Sequence, residues 1–295
     1  MNVLICGATG FVGGAIMEVL LQKGHTCIGG VRRPTEANHI AVDYLDATEL
    51  GYWSKRLDGI DVVVNAVGVL RDTAKTPMKL LHHEAPAALF KACEETGVKR
   101  IINISALGVD SGLATEYFQT KKAAEDTLFS LSDKVNWLNL RPSLVYGENG
   151  ASAKMFRLQA SLPVHFLPMG GMQEMQPVHI RDLATAVANW IAQPDAENLR
   201  MNVVGSEVVT MRSMLDSYRS QQDKGKALHI PVPGLFVRMA AAVGDYIPVS
   251  PLCRETLAML ELGNTGDGNA FTELLGRQAM GVSTFIKGID GEDRE

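Results

Sequence analysis

Short apolar runs alternate with helix-forming patterns through the first half of the chain. The runs that predict strands are Val3–Cys6, His25–Val31, a short one ending near Val42 and Asp43, Asp61–Asn65, Lys99–Ser105 and Val135–Leu140. Apolar residues at helical spacing predict helices over Phe11–Lys23, Thr48–Leu57, Leu80–Thr96 and Glu116–Leu131. This alternation is typical of a parallel sheet with helices on both faces, so we predict a doubly wound α/β fold of the Rossmann type.

The pattern loosens after about residue 150, where Pro, Gly and Met are frequent, and a helix over Arg181–Ala192 resumes it. We predict a Rossmann domain of residues 1–150, to which 176–204 return. Residues 151–175 and 205–287 are predicted to form a smaller substrate-side subdomain, and the charged tail 288–295 is expected to be frayed. The apolar segment Val232–Met239 begins a helix. We expect it in the core of the subdomain, with an exposed surface for a partner as the alternative.

Composition narrows the function classes. The chain has 295 residues, 46% of them hydrophobic and 21% charged, which is typical of a globular protein with a substantial core. A net charge of −5 argues against nucleic acid as a partner, because nucleic-acid-binding proteins need a basic surface. No apolar stretch approaches the roughly eighteen residues of a transmembrane helix. Cys6, Cys27, Cys93 and Cys253 lack metal-ligand spacing, which predicts reduced thiols, a cytoplasmic location and no metal site.

A glycine-rich turn follows the first predicted strand. In Gly7-Ala8-Thr9-Gly10-Phe11-Val12-Gly13 the glycines are spaced G-x-x-G-x-x-G between a strand and a helix. The first glycine allows a tight turn, the second lets backbone N–H groups approach a pyrophosphate, and the third lets helix and strand pack closely. A purely structural turn is the alternative, but the flanking strand and helix favour a nucleotide site. We predict that a dinucleotide contacts Gly7, Thr9, Gly10, Phe11, Val12 and Gly13.

Residues after the next strands predict which dinucleotide binds. Arg32 and Arg33 follow the second strand, where NAD-binding proteins place an acidic residue for the ribose. Because arginine binds phosphate through two parallel hydrogen bonds, we predict a preference for NADP(H), with NAD(H) as the alternative. Asp43 and Tyr44 are expected near the adenine. Small residues are expected to line the nicotinamide-side ribose, namely Asn65, Ala66, Val67 and Gly68.

Tyr117 and Lys121 lie four residues apart on the predicted helix Glu116–Leu131, so their side chains share one face. A neighbouring ammonium favours the phenolate and suits the tyrosine to acid/base catalysis. An exposed helical pair is the alternative, but this pair follows a strand whose carboxyl end faces the predicted nucleotide site. We therefore predict a catalytic or cofactor-binding role for both. His82 and His83 are expected to be solvated on a surface helix, and His179 to be structural.

Several motifs in this order resemble the short-chain dehydrogenase/reductase superfamily, in the extended or atypical branch of nucleotide-sugar epimerases and dehydratases. Within that branch the chain is similar to the nucleotide-binding accessory subunit of respiratory complex I and its bacterial relatives. The resemblance covers about residues 1–215. It rests on the glycine turn, Asp43, Tyr117 with Lys121, Ser105-Ala106-Leu107-Gly108, Arg141-Pro142-Ser143-Leu144-Val145-Tyr146-Gly147, Pro177-Val178-His179-Ile180-Arg181-Asp182-Leu183-Ala184 and Val203-Val204-Gly205-Ser206-Glu207-Val208-Val209-Thr210.

The resemblance implies roles for three residues. Tyr117 matches the acid/base tyrosine, and Lys121 matches the lysine that binds the nicotinamide ribose. The third catalytic position is normally a serine or threonine; here Ala106 falls at the expected place and Ser105 one position earlier. We therefore carry two hypotheses. One is an oxidoreductase or epimerase acting on a carbonyl or hydroxyl of a small molecule. The other is a non-catalytic NADP(H)-binding structural, assembly or redox-sensing module, as a homodimer or with a membrane-bound respiratory complex.

Overall fold

The computed structural model describes residues 1–247, 250 and 252–286. It divides into two compact units. Unit 1 comprises Met1–Pro142 and Leu183–Asn202, and unit 2 comprises Ser143–Asp182 and the chain from Val203 onward. The chain enters unit 2 a few residues before the predicted boundary at 150 and leaves it a few residues after the one at 176. The predicted tail 288–295 lies outside the described residues.

The strands follow the predicted order in the first half of the chain. They are β1 (Asn2–Cys6), β2 (Thr26–Val31), β3 (His39–Ala41), β4 (Val62–Asn65), β5 (Arg100–Ile104), β6 (Asn136–Pro142), β7 (Val145–Tyr146), β8 (Val164–Pro168), β9 (Glu174–Met175), β10 (Val178–His179), β11 (Leu199–Val203), β12 (Val209–Thr210) and β13 (Leu228–Val232).

The helices alternate with these strands in unit 1 and dominate the end of unit 2. They are α1 (Phe11–Gln22), α2 (Leu50–Ser54), α3 (Ala85–Thr96), α4 (Glu116–Phe129), α5 (Ala151–Ser161), α6 (Ile180–Ala192), α7 (Met211–Gln221), α8 (Gly234–Gly244), α9 (Arg254–Leu262) and α10 (Asn269–Leu275). A π-helical turn, Leu80–Glu84, precedes α3, and short 3₁₀ turns occur at Met169–Gly171 and Val282–Thr284.

Unit 1 is built on a seven-stranded sheet in the order β11-β6-β5-β4-β1-β2-β3. The pairs from β6 through β5, β4, β1 and β2 to β3 are all parallel. Strands β4 and β5 are buried along their whole length, as expected for central strands covered on both faces. The sheet confirms the predicted doubly wound α/β fold. It also brings the carboxyl ends of β1, β2, β4 and β5 to one edge.

Unit 2 has its own core, and its described residues form two-stranded sheets, β7 with β10, β8 with β13 and β9 with β12. Its core contains Phe156, Leu167, Met214, Tyr218 and Phe285, together with Tyr146, whose ring stacks on Phe285 at 4.8 Å between centroids. Short strands without a repeated helical crossover give little periodic signal. This is why the sequence pattern becomes hard to interpret there.

Helix α8 packs on one side only. Val237 and Ala241 are buried, whereas four large apolar side chains of the helix are 58–69% exposed, namely Leu235, Phe236, Met239 and Val243. The expectation that this segment lies in the core of the subdomain is therefore wrong for most of its side chains. Within the described residues, no helix has the length and apolarity that crossing a membrane requires.

Candidate functional site

The glycine turn between β1 and α1 is packed too closely for side chains. Gly7 adopts φ +85°, and a Cβ built on it would lie 3.1 Å from the backbone of Ala66. A Cβ on Gly13 would collide with the carbonyl oxygen of Gly7, and the Gly10 N–H donates to that same oxygen at 2.8 Å. At all three glycines a Cβ would thus approach backbone closely, most severely at Gly13, and Gly7 also has a left-handed conformation.

The start of α1 is suited to an anion. Gly10 is the N-cap residue and has no side chain to accept hydrogen bonds from the first turn. The N–H groups of Phe11, Val12 and Gly13 have no acceptor within the helix, and they lie at its positive end. Thr9 and Gly10 are exposed. The turn therefore offers backbone donors in a cradle without side chains, which fits the pyrophosphate of a dinucleotide.

Arg32 and Arg33 follow β2 directly and are exposed. Neither guanidinium forms a hydrogen bond or ion pair with another described residue, so both are available to a phosphate. Asp43 lies after β3. Its Oδ1 accepts a hydrogen bond from Leu45 N–H at 3.0 Å, while its own N–H donates to the Tyr52 hydroxyl at 2.8 Å. This leaves the second carboxylate oxygen of Asp43 for a ligand.

Two predicted cofactor contacts have their side chains buried within the protein instead. The Tyr44 side chain is buried against Trp53, and its hydroxyl donates to Asn65 Oδ1 at 2.9 Å. Asn65 in turn donates from Nδ2 to Asn103 Oδ1 at 2.9 Å. Both side chains are thus used in the core, and the contacts of Tyr44 and Asn65 with the adenine and the ribose stay predictions. Ala66, Val67 and Gly68, which follow Asn65, are partly accessible.

Asn65 belongs to a row of three asparagines across adjacent strands, which we call the asparagine ladder. Asn65 of β4 is in register with Asn103 of β5, and Asn103 with Asn139 of β6. Asn103 Nδ2 donates to Asn139 Oδ1 at 2.8 Å. All three side chains are buried. The ladder thus links β4, β5 and β6 by side-chain hydrogen bonds.

The ladder ends on a buried ion pair. Asn139 Nδ2 donates to Glu125 Oε1 at 2.9 Å, and the Arg141 guanidinium binds both oxygens of the same carboxylate. Arg141 also pairs with Asp110, which is half exposed. Glu125 lies one turn after Lys121 on α4. The polar row is therefore coupled to the helix that carries the predicted catalytic pair.

Lys121 is buried at the carboxyl end of β5. Thr115 caps α4 by accepting the Phe118 N–H at 3.2 Å, and the helix then places Tyr117 and Lys121 one turn apart. Lys121 Nζ donates to the carbonyl oxygen of Ile104, the last residue of β5, at 2.8 Å. Burial lowers the pKa of Lys121 to about 8, an effect that the Glu125 carboxylate opposes. The group is thus an ammonium at neutral pH, held next to the strand end.

Ser105 directly follows the carbonyl that Lys121 contacts. Its N–H donates to Leu140 O at 2.8 Å, and its side chain is buried. The Ser105 hydroxyl has no hydrogen-bond partner among the described residues. Because a buried hydroxyl without a partner costs stability, this atom marks a place where a ligand is expected. Ala106, also buried, offers no polar group.

His82 is the site residue that sequence reasoning missed. The expectation of a solvated side chain is wrong, because His82 is buried and its ring lies edge-on to that of Tyr117 at 5.4 Å. Its Nε2 accepts the Val69 N–H at 2.9 Å, and its Nδ1 lies 3.1 Å from Thr120 Oγ1. Burial and the Lys121 ammonium lower the pKa of His82 to about 2, so the imidazole is neutral.

A signal for His82 was present in the pattern. Helical spacing puts it on the same face as Leu89 and Cys93, which are buried. The imidazole ties the loop after β4 to α4, and a Cβ built on Gly68 would lie 3.3 Å from Lys121 Nζ and 3.7 Å from His82 Nε2. Gly68, His82 and Lys121 therefore meet at the same strand ends as Ser105.

Comparison with known proteins agrees with this architecture. The model of the NAD dependent epimerase/dehydratase family matches residues 3–205. Subunit 9 of the NADH dehydrogenase 1 alpha subcomplex of mouse mitochondria is 24% identical over 65% of the chain and 53% of its own length. The mitochondrial NADH-ubiquinone oxidoreductase 40 kDa subunit of Neurospora crassa is 23% identical over 81% of the chain and 64% of its length. The chain thus spans between half and two thirds of the length of these relatives.

Solved structures with the same fold cover nearly the whole chain. A nucleoside-diphosphate-sugar epimerase from Staphylococcus aureus superimposes with a TM-score of 0.78 at 16% identity, over 97% of this chain and all of the other. The human epimerase family protein SDR39U1 (isoform2), solved with NADPH, gives 0.76 at 19% identity over 99% and 100%. At these identities the likeness establishes the fold, and the substrate and cofactor have to be inferred from the residues of the site.

Proposed function

Because the chain belongs to the NAD-dependent epimerase/dehydratase family, we propose that it is an NADP(H)-dependent oxidoreductase or epimerase. Its substrate would be a small molecule that carries a carbonyl or hydroxyl group. The observation that carries the proposal is the buried ammonium of Lys121, one helical turn from Tyr117 and bound to the carbonyl oxygen of Ile104. The next residue, Ser105, has a buried hydroxyl without a partner among the described residues. A cation, an acid/base phenol and a hydroxyl donor are the groups that such proton transfer requires.

The chain's own residues divide the work of binding the nucleotide. The glycine turn would hold the pyrophosphate through the N–H groups at the start of α1. Arg32 and Arg33 would bind the 2′-phosphate, which supports NADP(H) over NAD(H). Asp43 would accept a hydrogen bond from the adenine. Small residues would line the nicotinamide-side ribose, namely Ala66, Val67 and Gly68.

The proton chemistry rests on Tyr117. When bound, the nicotinamide supplies a hydride donor or acceptor. Tyr117 would transfer the proton to or from the substrate oxygen, and the Lys121 ammonium favours its phenolate form. With a pKa of about 8, Lys121 keeps its charge at neutral pH and loses it in moderately alkaline solution. Ser105 would donate a hydrogen bond to the same substrate oxygen.

Titration with NADPH and NADH tests the nucleotide preference. We expect tighter binding of NADPH. Replacing either Arg32 or Arg33 by Gln should cost about 1.5–3 kcal/mol of NADPH binding, the range for a lost charged hydrogen bond, and leave NADH binding unchanged. Lys55→Gln removes an exposed cation elsewhere in unit 1 and is the matched control. Equal affinity for both nucleotides in the unmodified protein would contradict the preference.

Removing one hydroxyl tests the catalytic assignment. Tyr117→Phe should leave NADPH affinity intact and lower turnover of carbonyl or sugar-nucleotide substrates by roughly a hundredfold or more. Tyr246→Phe, at a tyrosine that is 86% exposed, is the control. Wild-type turnover in Tyr117→Phe would show that another group transfers the proton.

A second function is favoured by one feature of unit 2. The exposed apolar face of α8 offers a surface for another protein, and the relatives in mouse and Neurospora crassa are respiratory complex subunits. In this alternative the chain binds NADP(H) without turnover, as a structural, assembly or redox-sensing module in a homodimer or respiratory complex. The four buried, unpaired thiols suit a reducing, cytoplasmic setting in either case. Tight NADPH binding without turnover of any carbonyl, sugar-nucleotide or quinone substrate would favour this alternative.

A further inference from the structure

Two histidines face each other on the two-stranded sheet of unit 2. Strands β8 and β13 pair in parallel, and their register puts His165 directly beside His229. The neighbouring residues Phe166, Leu228 and Ile230 are exposed, whereas His165 is fully buried. Since side chains alternate along a strand, both imidazoles lie on the covered face of the sheet. Their ring centroids are 5.4 Å apart.

An aspartate completes the cluster from α7. Asp216 Oδ1 lies 2.8 Å from His229 Nε2, and its side chain is 44% exposed. One potential ligand atom from each of His165, Asp216 and His229 lies within 4.8 Å of the others. The three groups thus converge from two strands and one helix, with one open side toward solvent.

His165 presents an unused lone pair. Its Nε2 lies 3.4 Å from the carbonyl oxygen of Ala160, the partner expected for a ring N–H. Its Nδ1 is buried and has no hydrogen-bond partner among the described residues. A histidine that donates one N–H to a backbone carbonyl and leaves the other nitrogen bare has the arrangement of a metal ligand.

We propose that His165, Asp216 and His229 form a binding site for a divalent transition metal, with Zn²⁺ as the best match. Two imidazoles and one carboxylate are a common zinc donor set, and water from the exposed side would take the fourth position. Mg²⁺ and Ca²⁺ prefer ligand sets made of oxygen, so this set disfavours them.

The geometry needs only small side-chain movements to close. Zinc–ligand bonds of 2.0–2.1 Å put tetrahedral ligands about 3.3 Å apart. The His229–Asp216 pair at 2.8 Å would open slightly, and the more distant ligand atoms would move together. Each histidine must present a free ring nitrogen to the metal, so protons compete with Zn²⁺ and binding should weaken in acid.

One neighbouring charge limits the affinity. The Arg219 guanidinium donates to Ala160 O at 3.0 Å and Leu162 O at 2.8 Å, close to His165. The positive charge of Arg219 offsets the negative charge of Asp216. A metal cation would therefore gain little from electrostatic attraction and would be held mainly by its bonds to the two imidazoles. This again favours Zn²⁺ or Co²⁺ over Mg²⁺ or Ca²⁺. A bound ion would link β8, β13 and α7, and so stabilise unit 2.

The test uses the full chain after treatment with EDTA. We expect one equivalent of Zn²⁺ to bind and raise the melting temperature. Co²⁺ should give visible bands of a low-coordinate ion, while Mg²⁺ and Ca²⁺ at the same concentration have no effect. His229→Gln and Asp216→Asn each change a partly exposed residue and should weaken Zn²⁺ binding at least tenfold while melting normally without metal. His25→Gln, at a histidine outside the cluster, should bind like the unmodified protein.

Three results would overturn the proposal. Zn²⁺ binding of unchanged affinity in Asp216→Asn or His229→Gln would place the ion elsewhere on the chain. A Co²⁺ spectrum like that of the hexaaqua ion, together with an unchanged melting temperature, would mean that the cluster is only an ion pair. A His165→Gln variant that melts normally but keeps full Zn²⁺ affinity would remove the buried ligand and with it the site.

Discussion

The two units differ in how polar side chains on paired parallel strands are satisfied. In unit 1, Asn65, Asn103 and Asn139 are register neighbours, and each amide of the asparagine ladder is paired to the next group in the row. In unit 2, His165 and His229 are also register neighbours, but His165 Nδ1 has no partner in the described part of the chain. A paired row stabilises the fold by itself, whereas a bare buried atom costs some stability until a ligand or water satisfies it.

The distribution of unpaired atoms extends this contrast. Among the buried side-chain polar atoms that lack a partner in the described residues, unit 1 contributes Ser105 Oγ, beside the candidate catalytic pair. Unit 2 contributes the others, including His165 Nδ1 and His179 Nε2. Unit 1 is therefore a satisfied scaffold with one open position at its site. The interior of unit 2 contains several polar atoms whose hydrogen-bonding capacity is not used by the described residues.

The largest expected effect comes from breaking the charged end of the ladder. Glu125→Ala would leave the buried Arg141 guanidinium without its principal carboxylate, and Asn139 without an acceptor. Removing one partner of a buried ion pair typically costs about 3–5 kcal/mol of unfolding free energy. Urea unfolding measures it. A cost below 1 kcal/mol would mean that Asp110 alone suffices for Arg141, and that the ladder is not continuous.

The centre of the ladder should be the next most sensitive position. Asn103→Ala would leave Asn65 Nδ2 without an acceptor and Asn139 Oδ1 without a donor. Two unsatisfied buried groups should cost about 2–4 kcal/mol, reduced if water enters the vacated space. Asn149→Ala, at an exposed asparagine, is the control and should stay within about 0.5 kcal/mol of the unmodified protein.

Most of the unit 1 fold could be predicted from the sequence, because central strands and covering helices have clear periods. The glycine turn, the end of α3 at Gly97 with φ +81°, and the start of α4 all carry local signals. Tyr44 and Asn65 were assigned to the cofactor because strand ends face ligands. The sequence cannot show that a side chain at such an end points into the core.

Contacts between distant segments explain what the sequence did not reveal. His82 is held by Val69 and Thr120, and the metal-site candidates come from β8, α7 and β13, whose spacing follows no ligand motif. The pairing of β8 with β13 alone makes His165 and His229 neighbours. Strand pairings of this kind are long-range and have no signature in residue spacing.

The buried ammonium of Lys121 lowers the stability of the folded protein, and this cost should depend on pH. The pKa of Lys121 in the folded protein is about 8, against 10.5 for the free side chain. Above pH 8 the folded protein releases a proton that the unfolded chain retains until about 10.5, so the stability of the unmodified protein should rise through this range. Below pH 8 both states are protonated, and the cost of burying the ammonium is fully present.

The Lys121→Met variant has no ammonium to bury, so its unfolding free energy should exceed that of the unmodified protein most at neutral pH. That advantage should fall by on the order of 2 kcal/mol between pH 7 and 10. Lys55→Met, at an exposed lysine, is the control for other groups that titrate in this range. The variant should also bind NADPH more weakly, since the ammonium is proposed to hold the ribose. A pH-independent stability difference would contradict the buried ammonium.

The smallest effect is expected where the buried polar group is unpaired. His165→Leu keeps a similar side-chain volume and removes a nitrogen, Nδ1, that has no partner, together with a 3.4 Å contact from Nε2 to Ala160 O. Replacing an unsatisfied buried polar group by an apolar one of similar shape is close to neutral, so the EDTA-treated variant should differ by less than about 1 kcal/mol in urea unfolding. With Zn²⁺ present, the unmodified protein alone should gain stability, because only it retains the buried imidazole ligand. A loss above 2 kcal/mol without metal would show that His165 is as well paired as the asparagines of unit 1, and the contrast between the two units would not hold.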